Sequence, residues 1–181
     1  MELEAHDRTT IDLPQVQHDL AKAVLALGKP TVIFLMNAGA VAIDAEAAHD
    51  GPAPLGIIEA FYPGIFGGQA LAEGLFGEMN QWGRLPYTIY PNKFTSETPM
   101  SMHDLRVTPG RTYRYYREPL FAFGTGLTLT KWEMKATAPS CLETLSATSD
   151  VNCTVAVGIT NVGKMKGDAV VLAYLLRGGY S

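Results

Sequence analysis

The chain has 181 residues, 47% of them hydrophobic and 18% charged, which is enough to bury the core of one large domain or of one and a half small ones. Its formal net charge of -4 leaves no basic face for a phosphate backbone, so we expect no nucleic acid as a partner. No apolar run reaches the roughly 20 residues that a membrane helix needs, so we expect no membrane partner either.

The first predicted helix begins at Pro14, because proline is favoured in the first turn of a helix. Apolar residues then recur at helical spacing along one stripe: Val16, Leu20, Val24 and Leu27. Gly28 is the expected stop signal. Residues 31–36 are β-branched, apolar and aromatic, which predicts a parallel strand buried on both faces.

The residues Asn37-Ala38-Gly39-Ala40 follow this predicted strand. In an open α/β sheet, ligands meet the protein at the carboxyl ends of the strands, so these residues could line a site. A simple glycine-bearing turn is the preferred interpretation of the same residues, because a single small-residue loop is a weak signal of a site. A short helix over residues 41–48 and a second strand over residues 55–61 come next in the prediction.

A second apolar helix is predicted to open at Gly67-Gly68 and to end at Gly77. The alternation of strands and helices favours a partial α/β sandwich with a mostly parallel sheet and flanking helices. Residues 85–90 are expected to be an extended edge segment. Residues 91–110 have little periodicity and are expected to form a long crossing loop.

Residues 111–116 restore an alternating pattern that predicts extended structure. Tyr113 and Tyr115 at alternating positions are expected to face the core on one side and a rim on the other, although aromatic rings can also stack on sugars. Arg111, in this aromatic setting, is the expected structural clamp.

Composition changes after Thr128. Three strands are predicted there, over residues 129–135, 153–160 and 169–176. Alternating strands separated by turn residues are typical of an all-β domain. Cys141 and Cys153 are the only cysteines, and either a disulfide or two reduced thiols is consistent with their positions.

The residues best suited to chemistry stand at the start of the chain, where Glu2 and Glu4 precede Asp7-Arg8. In an extended segment, side chains two residues apart lie on the same face, about 7 Å apart along the strand, so both glutamates could look into one cleft. A glutamate near Arg8 tends to stay ionised, whereas one packed against apolar surface keeps its proton more easily. A general acid needs the second setting.

The order of several motifs resembles glycoside hydrolase family 3, the family of β-xylosidases and β-glucosidases. The matching blocks cover essentially the whole chain. They are Glu2 to Gln15, Gly28-Lys29-Pro30-Thr31-Val32-Ile33, Tyr62-Pro63-Gly64 with Gly67-Gly68, Leu75-Phe76-Gly77 with Gly83-Arg84-Leu85-Pro86, Pro109 to Tyr116, and Phe123-Gly124-Thr125-Gly126-Leu127. The resemblance departs from the family at Ile65-Phe66, where a glutamine or glutamate is usual, and at Asn80-Gln81-Trp82-Gly83, where Asn-Pro-x-Gly is usual.

The resemblance implies two partial domains. Residues 1–127 are expected to be the C-terminal α/β sandwich of the family, and residues 128–181 the start of a fibronectin type III-like domain. Such a domain is an immunoglobulin-like sandwich of about seven strands, so the resemblance implies an incomplete all-β sandwich in this chain. It also implies secretion, although no signal peptide precedes the motifs in this sequence. The true N-terminus is then expected to lie upstream of Met1.

The resemblance also implies retaining hydrolysis by two carboxylates. By alignment on Asp7-Arg8, Glu4 is the expected acid/base, and Glu2 is the second choice because the acid/base loop varies in length. Two solvated carboxylates near a chain end are the alternative. The Ser-Asp signature of the nucleophile occurs nowhere in the chain, so the nucleophile is expected in a missing N-terminal domain, and the isolated chain is expected to be inactive.

The first functional hypothesis is therefore the C-terminal portion of a retaining exo-acting β-xylosidase that acts on an oligosaccharide or polysaccharide. A β-glucosidase, an α-arabinofuranosidase or a non-catalytic carbohydrate-binding module are alternatives, and a nucleotide-binding α/β protein is a weaker one because the second and third glycines of its fingerprint are missing. No cofactor and no metal are expected, because the histidines have no ligand spacing. They are His6, His18, His49 and His103.

Overall fold

The computed structural model of the chain describes residues 5, 8–138, 140–141 and 153–174. The chain folds as two compact units. The first comprises Met1–Gly68 and Gly83–Gly126, and the second comprises Gln69–Trp82 and Leu127–Ser181. The expected domains over residues 1–127 and 128–181 stay a prediction.

The first helix, α1, spans Gln15–Leu25, and Gly28 follows it with a φ of +61°. This confirms both the predicted start near Pro14 and the glycine stop, because glycine adopts the left-handed conformation without steric cost. The helix contains no fully buried residue. The residues of the predicted apolar stripe are instead exposed: 73% for Val16, 65% for Leu20, 36% for Val24, and 70% for Leu27, which lies just beyond the helix.

Strands β1 (Thr31–Leu35) and β2 (Leu55–Glu59) form a parallel pair. Thr31 lies opposite Leu55 at one end and Leu35 opposite Glu59 at the other. The predicted parallel α/β arrangement is confirmed for these two strands. The prediction that β1 is buried on both faces was wrong. Within β1 only Leu35 is buried, and Val32 is 44% exposed.

The core of the first unit lies beside the carboxyl end of β1. It is built on Leu35, Val41 and Ile43, the last of which is fully buried. The expected short helix over residues 41–48 is reduced to α2 (Asp44–Ala47), because residues 41–43 are drawn into the core. The partly buried side chains that pack against this core are Leu13, Ile33, Ile57, Leu120 and Phe121.

The third helix, α3, spans Gly67–Leu75. Gly77 has a φ of +78°, so the predicted glycine pair at the start and glycine stop at the end are both confirmed.

The extended segment predicted over residues 85–90 is present only in part, as a short antiparallel contact, because residues 86–87 form a bend. Ile89 and Phe121 form an isolated bridge, and Leu85 exchanges backbone hydrogen bonds with Gly124 and Thr125. The long loop over residues 91–110 contains one short helix, α4 (Phe94–Glu97).

The extended structure predicted over residues 111–116 was wrong, because a short helix, α5 (Thr112–Tyr115), forms there. Thr112 has a φ of +61°, its N–H donates to the Tyr90 hydroxyl at 2.7 Å, and its carbonyl accepts from the Tyr116 N–H at 3.1 Å. A tertiary hydrogen bond therefore selects one helical turn over the extended form that the alternating tyrosines indicate.

The second unit contains two separate antiparallel pairs. Strand β3 (Trp132–Ala136) pairs with β6 (Val157–Asn161), and β4 (Ser140–Cys141) pairs with β5 (Cys153–Thr154). The strand predicted over residues 153–160 is therefore interrupted, and residues 169–174, the described part of the last predicted strand, form no strand. An immunoglobulin-like sandwich is not shown.

The register of β4 and β5 places Cys141 opposite Cys153. They therefore lie in neighbouring strands, as the disulfide hypothesis requires. The bond itself stays a prediction.

Candidate functional site

The carboxyl end of the parallel pair carries two polar side chains that bond to each other. Asn37, which follows β1 and is 6% exposed, donates through Nδ2 to Gly39 O at 2.6 Å and to Glu59 Oε2 at 3.3 Å. Glu59 is the last residue of β2. The Asn37 amide thus closes the turn after β1 and ties it to β2, at the edge where open α/β sheets bind ligands.

The exit from β2 is a sharp turn that leads into an exposed apolar loop. Phe61 has a φ of +53°, and its N–H donates to Glu59 Oε1 at 3.4 Å. The side chains of Ile65 and Phe66, at the positions where the family usually has glutamine or glutamate, are 92% and 72% exposed. This part of the edge therefore presents apolar surface.

The N-terminal stretch reaches the same edge. Arg8 Nη2 donates to Ala40 O at 3.3 Å, in the loop that follows β1. The predicted catalytic residues Glu4 and Glu2, and Asp7 of the Asp7-Arg8 pair, lie outside the described residues. Arg8, which follows Glu4 by four residues, is the described residue that contacts this edge.

The segment after Arg8 is held by a polar network centred on Asn92. The Asn92 amide donates through Nδ2 to Asp12 Oδ2 at 3.0 Å and accepts from Thr10 Oγ1 at 2.9 Å. The Asn92 backbone N–H donates to Asp44 Oδ2 at 3.0 Å. The sequence gives no signal for this residue, because residues 91–110 show only the pattern of a loop and Asn92 is 80 positions from Asp12.

His18 completes this network from the first turn of α1. Its Nδ1 lies 2.7 Å from Glu46 Oε1 and its Nε2 lies 2.9 Å from Asp12 Oδ1. The side chain of His18 is 15% exposed and that of Glu46 only 3%. The hydrogen bond to Glu46, followed by the one to Asp12, raises the pKa of His18 above its ordinary value, although partial burial acts in the opposite direction.

Aromatic side chains from three segments form a second feature of the first unit. Tyr90 stacks on Phe94 with ring centroids 3.9 Å apart, and Tyr116 meets both rings edge-on at 5.0 and 5.2 Å. Next to this cluster is a cavity of about 260 Å³. It is lined by Pro86, Tyr87, Thr88, Tyr90, Thr112, Tyr113 and Phe123.

The tyrosines of residues 111–116 take different places. Tyr116 is 5% exposed and belongs to the core, whereas Tyr113 is 51% exposed and rests against Phe123 with ring centroids 5.0 Å apart. Tyr113 thus lies at the rim of the cavity, but the core position is taken by Tyr116 and not by Tyr115, which is half-buried, because the segment is a helical turn.

Arg111 is the structural clamp that was expected. Its guanidinium donates to Pro99 O at 2.8 Å and its backbone N–H donates to Leu105 O at 2.9 Å. Arg106 pairs instead with Asp104, at 2.9 and 3.0 Å, which lowers the pKa of Asp104 to about 2.

Within the residues that the structure describes, no group of three or more His, Cys, Asp and Glu side chains is arranged to hold a metal ion. The same residues include no helix with the length and apolar character to cross a membrane.

Comparison with known proteins agrees with the order of motifs. Residues 1–129 match the Glycosyl hydrolase family 3 C-terminal domain. "Probable beta-D-xylosidase 6" of Arabidopsis thaliana is 45% identical over 139 residues, which is 74% of this chain and 17% of the relative. "Probable exo-1,4-beta-xylosidase xlnD" of Neosartorya fischeri is 34% identical over 190 residues, which is 97% of this chain and 24% of the relative.

Solved structures give the same picture. The chain is similar to a GH3 exo-β-xylosidase (XlnD) in complex with a xylobiose aziridine activity-based probe, with a TM-score of 0.67 and 36% identity over 74% of this chain and 18% of that one. It is also similar to DesR, a β-glucosidase from Streptomyces venezuelae in complex with D-glucose, with a TM-score of 0.64 and 25% identity over 89% of this chain and 21% of that one. This chain thus spans between a sixth and a quarter of the length of these relatives.

Proposed function

The chain belongs to glycoside hydrolase family 3, and we propose that it is the C-terminal portion of a retaining exo-acting β-glycosidase whose activity is that of a β-xylosidase. The observation that carries this proposal is the hydrogen bond from Arg8 to Ala40 O. It places Arg8, four residues after Glu4 in the sequence, beside the loop that follows a parallel strand. That edge is where a substrate would meet this fold.

Glu4 is the proposed proton donor. In a retaining glycosidase, one carboxylic acid protonates the leaving oxygen while a second carboxylate, about 5 to 5.5 Å away, attacks the sugar carbon. Glu4 would take the first role and would then act as base towards water in the second step. Glu2 is the second choice for the same role.

The nucleophile is proposed to be an aspartate in an N-terminal catalytic domain outside this chain. One acid without a nucleophile forfeits the covalent route, so the chain alone is expected to be inactive. The carbohydrate substrate would then bind between the absent domain and the glutamate-bearing edge. Residues 128–181 are proposed to begin a fibronectin type III-like domain, and the whole protein is proposed to be secreted.

The xylosidase assignment is supported by the curated relatives, which are named as β-xylosidases in plants and fungi. A β-glucosidase is the second candidate, and the likeness to DesR favours it. The apolar loop at Ile65-Phe66 lies next to the substrate edge and differs from the usual polar residues there. An α-arabinofuranosidase or a non-catalytic carbohydrate-binding module would be outcomes of the test below.

The experiment joins the full chain to a nucleophile-bearing partner. The matching quarter of the Neosartorya fischeri relative is replaced by this chain, and hydrolysis of aryl β-xylosides, β-glucosides and α-arabinofuranosides is compared with that of xylobiose. Loss of a general acid costs about 10²- to 10⁴-fold and matters most when the leaving group is poor. Glu4→Gln should therefore reduce xylobiose hydrolysis by that factor, and hydrolysis of a dinitrophenyl xyloside much less.

Glu2→Gln is the matched control, because it makes the same change two residues away. We expect it to keep the activity of the unmodified chimera on both substrates. A folded chimera that is inactive on every glycoside would contradict the enzyme assignment and favour the binding module. Equal losses in the two variants would contradict the choice of Glu4.

A further inference from the structure

The cavity of about 260 Å³ beside the aromatic cluster has no part in the proposed proton transfer. Four of the residues that line it are aromatic: Tyr87, Tyr90, Tyr113 and Phe123. We propose that this cavity binds one neutral pyranose ring, a xylose unit of an oligosaccharide. The inference rests on the proposed function, because the class of sugar is taken from it.

The lining of the cavity disfavours a charged ligand. Among the described residues, no Asp, Glu, Lys, Arg or His side chain lines it, and its remaining residues are Pro86, Thr88 and Thr112. A charged ligand would lose hydration there without gaining an ion pair. The volume is below the roughly 300 Å³ at which pockets for drug-sized ligands begin, so one ring is the size that fits.

The aromatic rings at the rim suit the face of a sugar. Tyr113 is 51% exposed and lies against Phe123, with ring centroids 5.0 Å apart and planes tilted by 32°. The face of an aromatic ring carries partial negative charge and attracts C–H groups. A β-xylopyranose ring has all its hydroxyl groups equatorial, so both of its faces present C–H groups to such rings.

The hydroxyl of Tyr90 can bind a sugar oxygen. Its oxygen accepts a hydrogen bond from the Thr112 N–H at 2.7 Å, and both residues line the cavity. A phenol hydroxyl donates as well as accepts, so the bond to Thr112 leaves the Tyr90 proton for a further acceptor. Phe94 stacks on Tyr90 with ring centroids 3.9 Å apart, which holds this ring in place.

Thr88 gives a second, independent indication of a ligand. It is 6% exposed, and its Oγ1 is buried without a hydrogen-bond partner among the described residues. A buried hydroxyl without a partner costs free energy, so such a group calls for an explanation. A sugar hydroxyl can donate to the Thr88 hydroxyl or accept from it, which would remove that cost.

The cavity adjoins the exit from β2. The ring of Tyr87 meets that of Phe61 edge-on, with ring centroids 5.7 Å apart. Phe61 lies two residues after Glu59, the last residue of β2. The cavity and the edge proposed to meet the substrate are therefore neighbours within the first unit, and a further unit of the same oligosaccharide is the sugar expected in the cavity.

The test measures the binding of xylobiose to the full chain by NMR titration. We expect a Kd on the order of 1 mM, because a single ring makes few contacts. Tyr113→Ala should weaken binding about 2- to 10-fold through the loss of one aromatic contact. Tyr174→Ala is the matched control, because Tyr174 is 52% exposed and belongs to the second unit, and it should bind xylobiose as the unmodified chain does.

Thr88→Val separates binding from folding. Valine has nearly the same shape without the hydroxyl, so the loss of a buried group that lacks a partner should leave Tm equal or higher. Xylobiose binding should nevertheless weaken about 2- to 10-fold, the effect of one hydrogen bond. A lower Tm with unchanged binding would show that the hydroxyl serves the fold and would overturn its role in binding.

Unchanged binding in Thr88→Val or in a folded Tyr113→Ala would overturn the inference. So would a chain that binds phenol in place of xylobiose, since the cavity would then accept a flat apolar ring. If the chimera hydrolyses xylobiose but the full chain does not bind it, the proposed function stands and the sugar site fails. If the full chain binds xylobiose through Tyr113 and Thr88 while the chimera is inactive, the sugar site stands and the proposed function fails.

Discussion

The two faces of α1 differ in exposure, and the difference is the reverse of that in a usual amphipathic helix. His18 on one face is 15% exposed and bonded to two carboxylates, whereas Val16 and Leu20 on the apolar stripe are 73% and 65% exposed. A surface helix normally buries its apolar stripe. The face that carries His18, together with half-buried Ala21 and Leu25, therefore holds α1 in place within this chain, and the exposed stripe contributes little to the stability of the chain as it stands.

The largest effect on stability is expected when the contacts of His18 with Glu46 and Asp12 are removed. His18→Ala leaves the buried Glu46 carboxylate without its cation, which typically costs about 3 to 5 kcal/mol. We expect the free energy of unfolding, measured by urea titration, to fall by that amount. Adding Glu46→Gln should restore part of the loss, because the orphaned charge is then gone; a His18→Ala variant as stable as the unmodified chain would contradict the role of the bridge.

A change of pH should weaken the same contact less than truncation does, because a neutral ring still fills its space and keeps one hydrogen bond. The folded pKa of His18 is raised, so its contribution is complete below about pH 6.5 and declines as the pH rises through the folded pKa. Thermal unfolding at several pH values should show stability decreasing on the alkaline side. The His18→Gln variant should not show this loss of stability at alkaline pH. If the variant still shows it, a group other than His18 titrates.

The smallest effect is expected on the apolar face. Leu20→Lys changes an exposed side chain, so the stability of the chain should change by no more than about 0.5 kcal/mol. Exposed apolar patches mark contacts with other protein surface, so the same variant should reduce self-association of the chain in size-exclusion chromatography. A loss of several kcal/mol would mean that the stripe is buried in solution.

Local signals in the sequence predicted the ends of elements well. Gly28 and Gly77 stop helices because their left-handed conformations depend on the residue itself. The parallel direction of β1 and β2 also follows from the intervening helix and the apolar runs. The family and its order of motifs could be identified for the same reason, since each motif is contiguous.

The rest depends on partners that are distant in the sequence. The turn at Thr112 is selected by the hydroxyl of Tyr90, 22 residues away, and an alternating pattern contains no sign of it. His18 contacts Glu46, which is 28 residues away, so a histidine without ligand spacing belongs to the network centred on Asn92. The exposure of the apolar stripe of α1 could not be predicted either, because helical periodicity identifies an apolar face but not the surface that packs against it.

The central claim is that Glu4 donates the proton from the edge that Arg8 and Asp12 hold. The most direct test is the pH dependence of kcat/KM on xylobiose in the chimera, where the alkaline limb reports the ionisation of the general acid. Glu4→Gln should remove that limb and Glu2→Gln should retain it. An identical limb in both variants would show that the proton comes from another group.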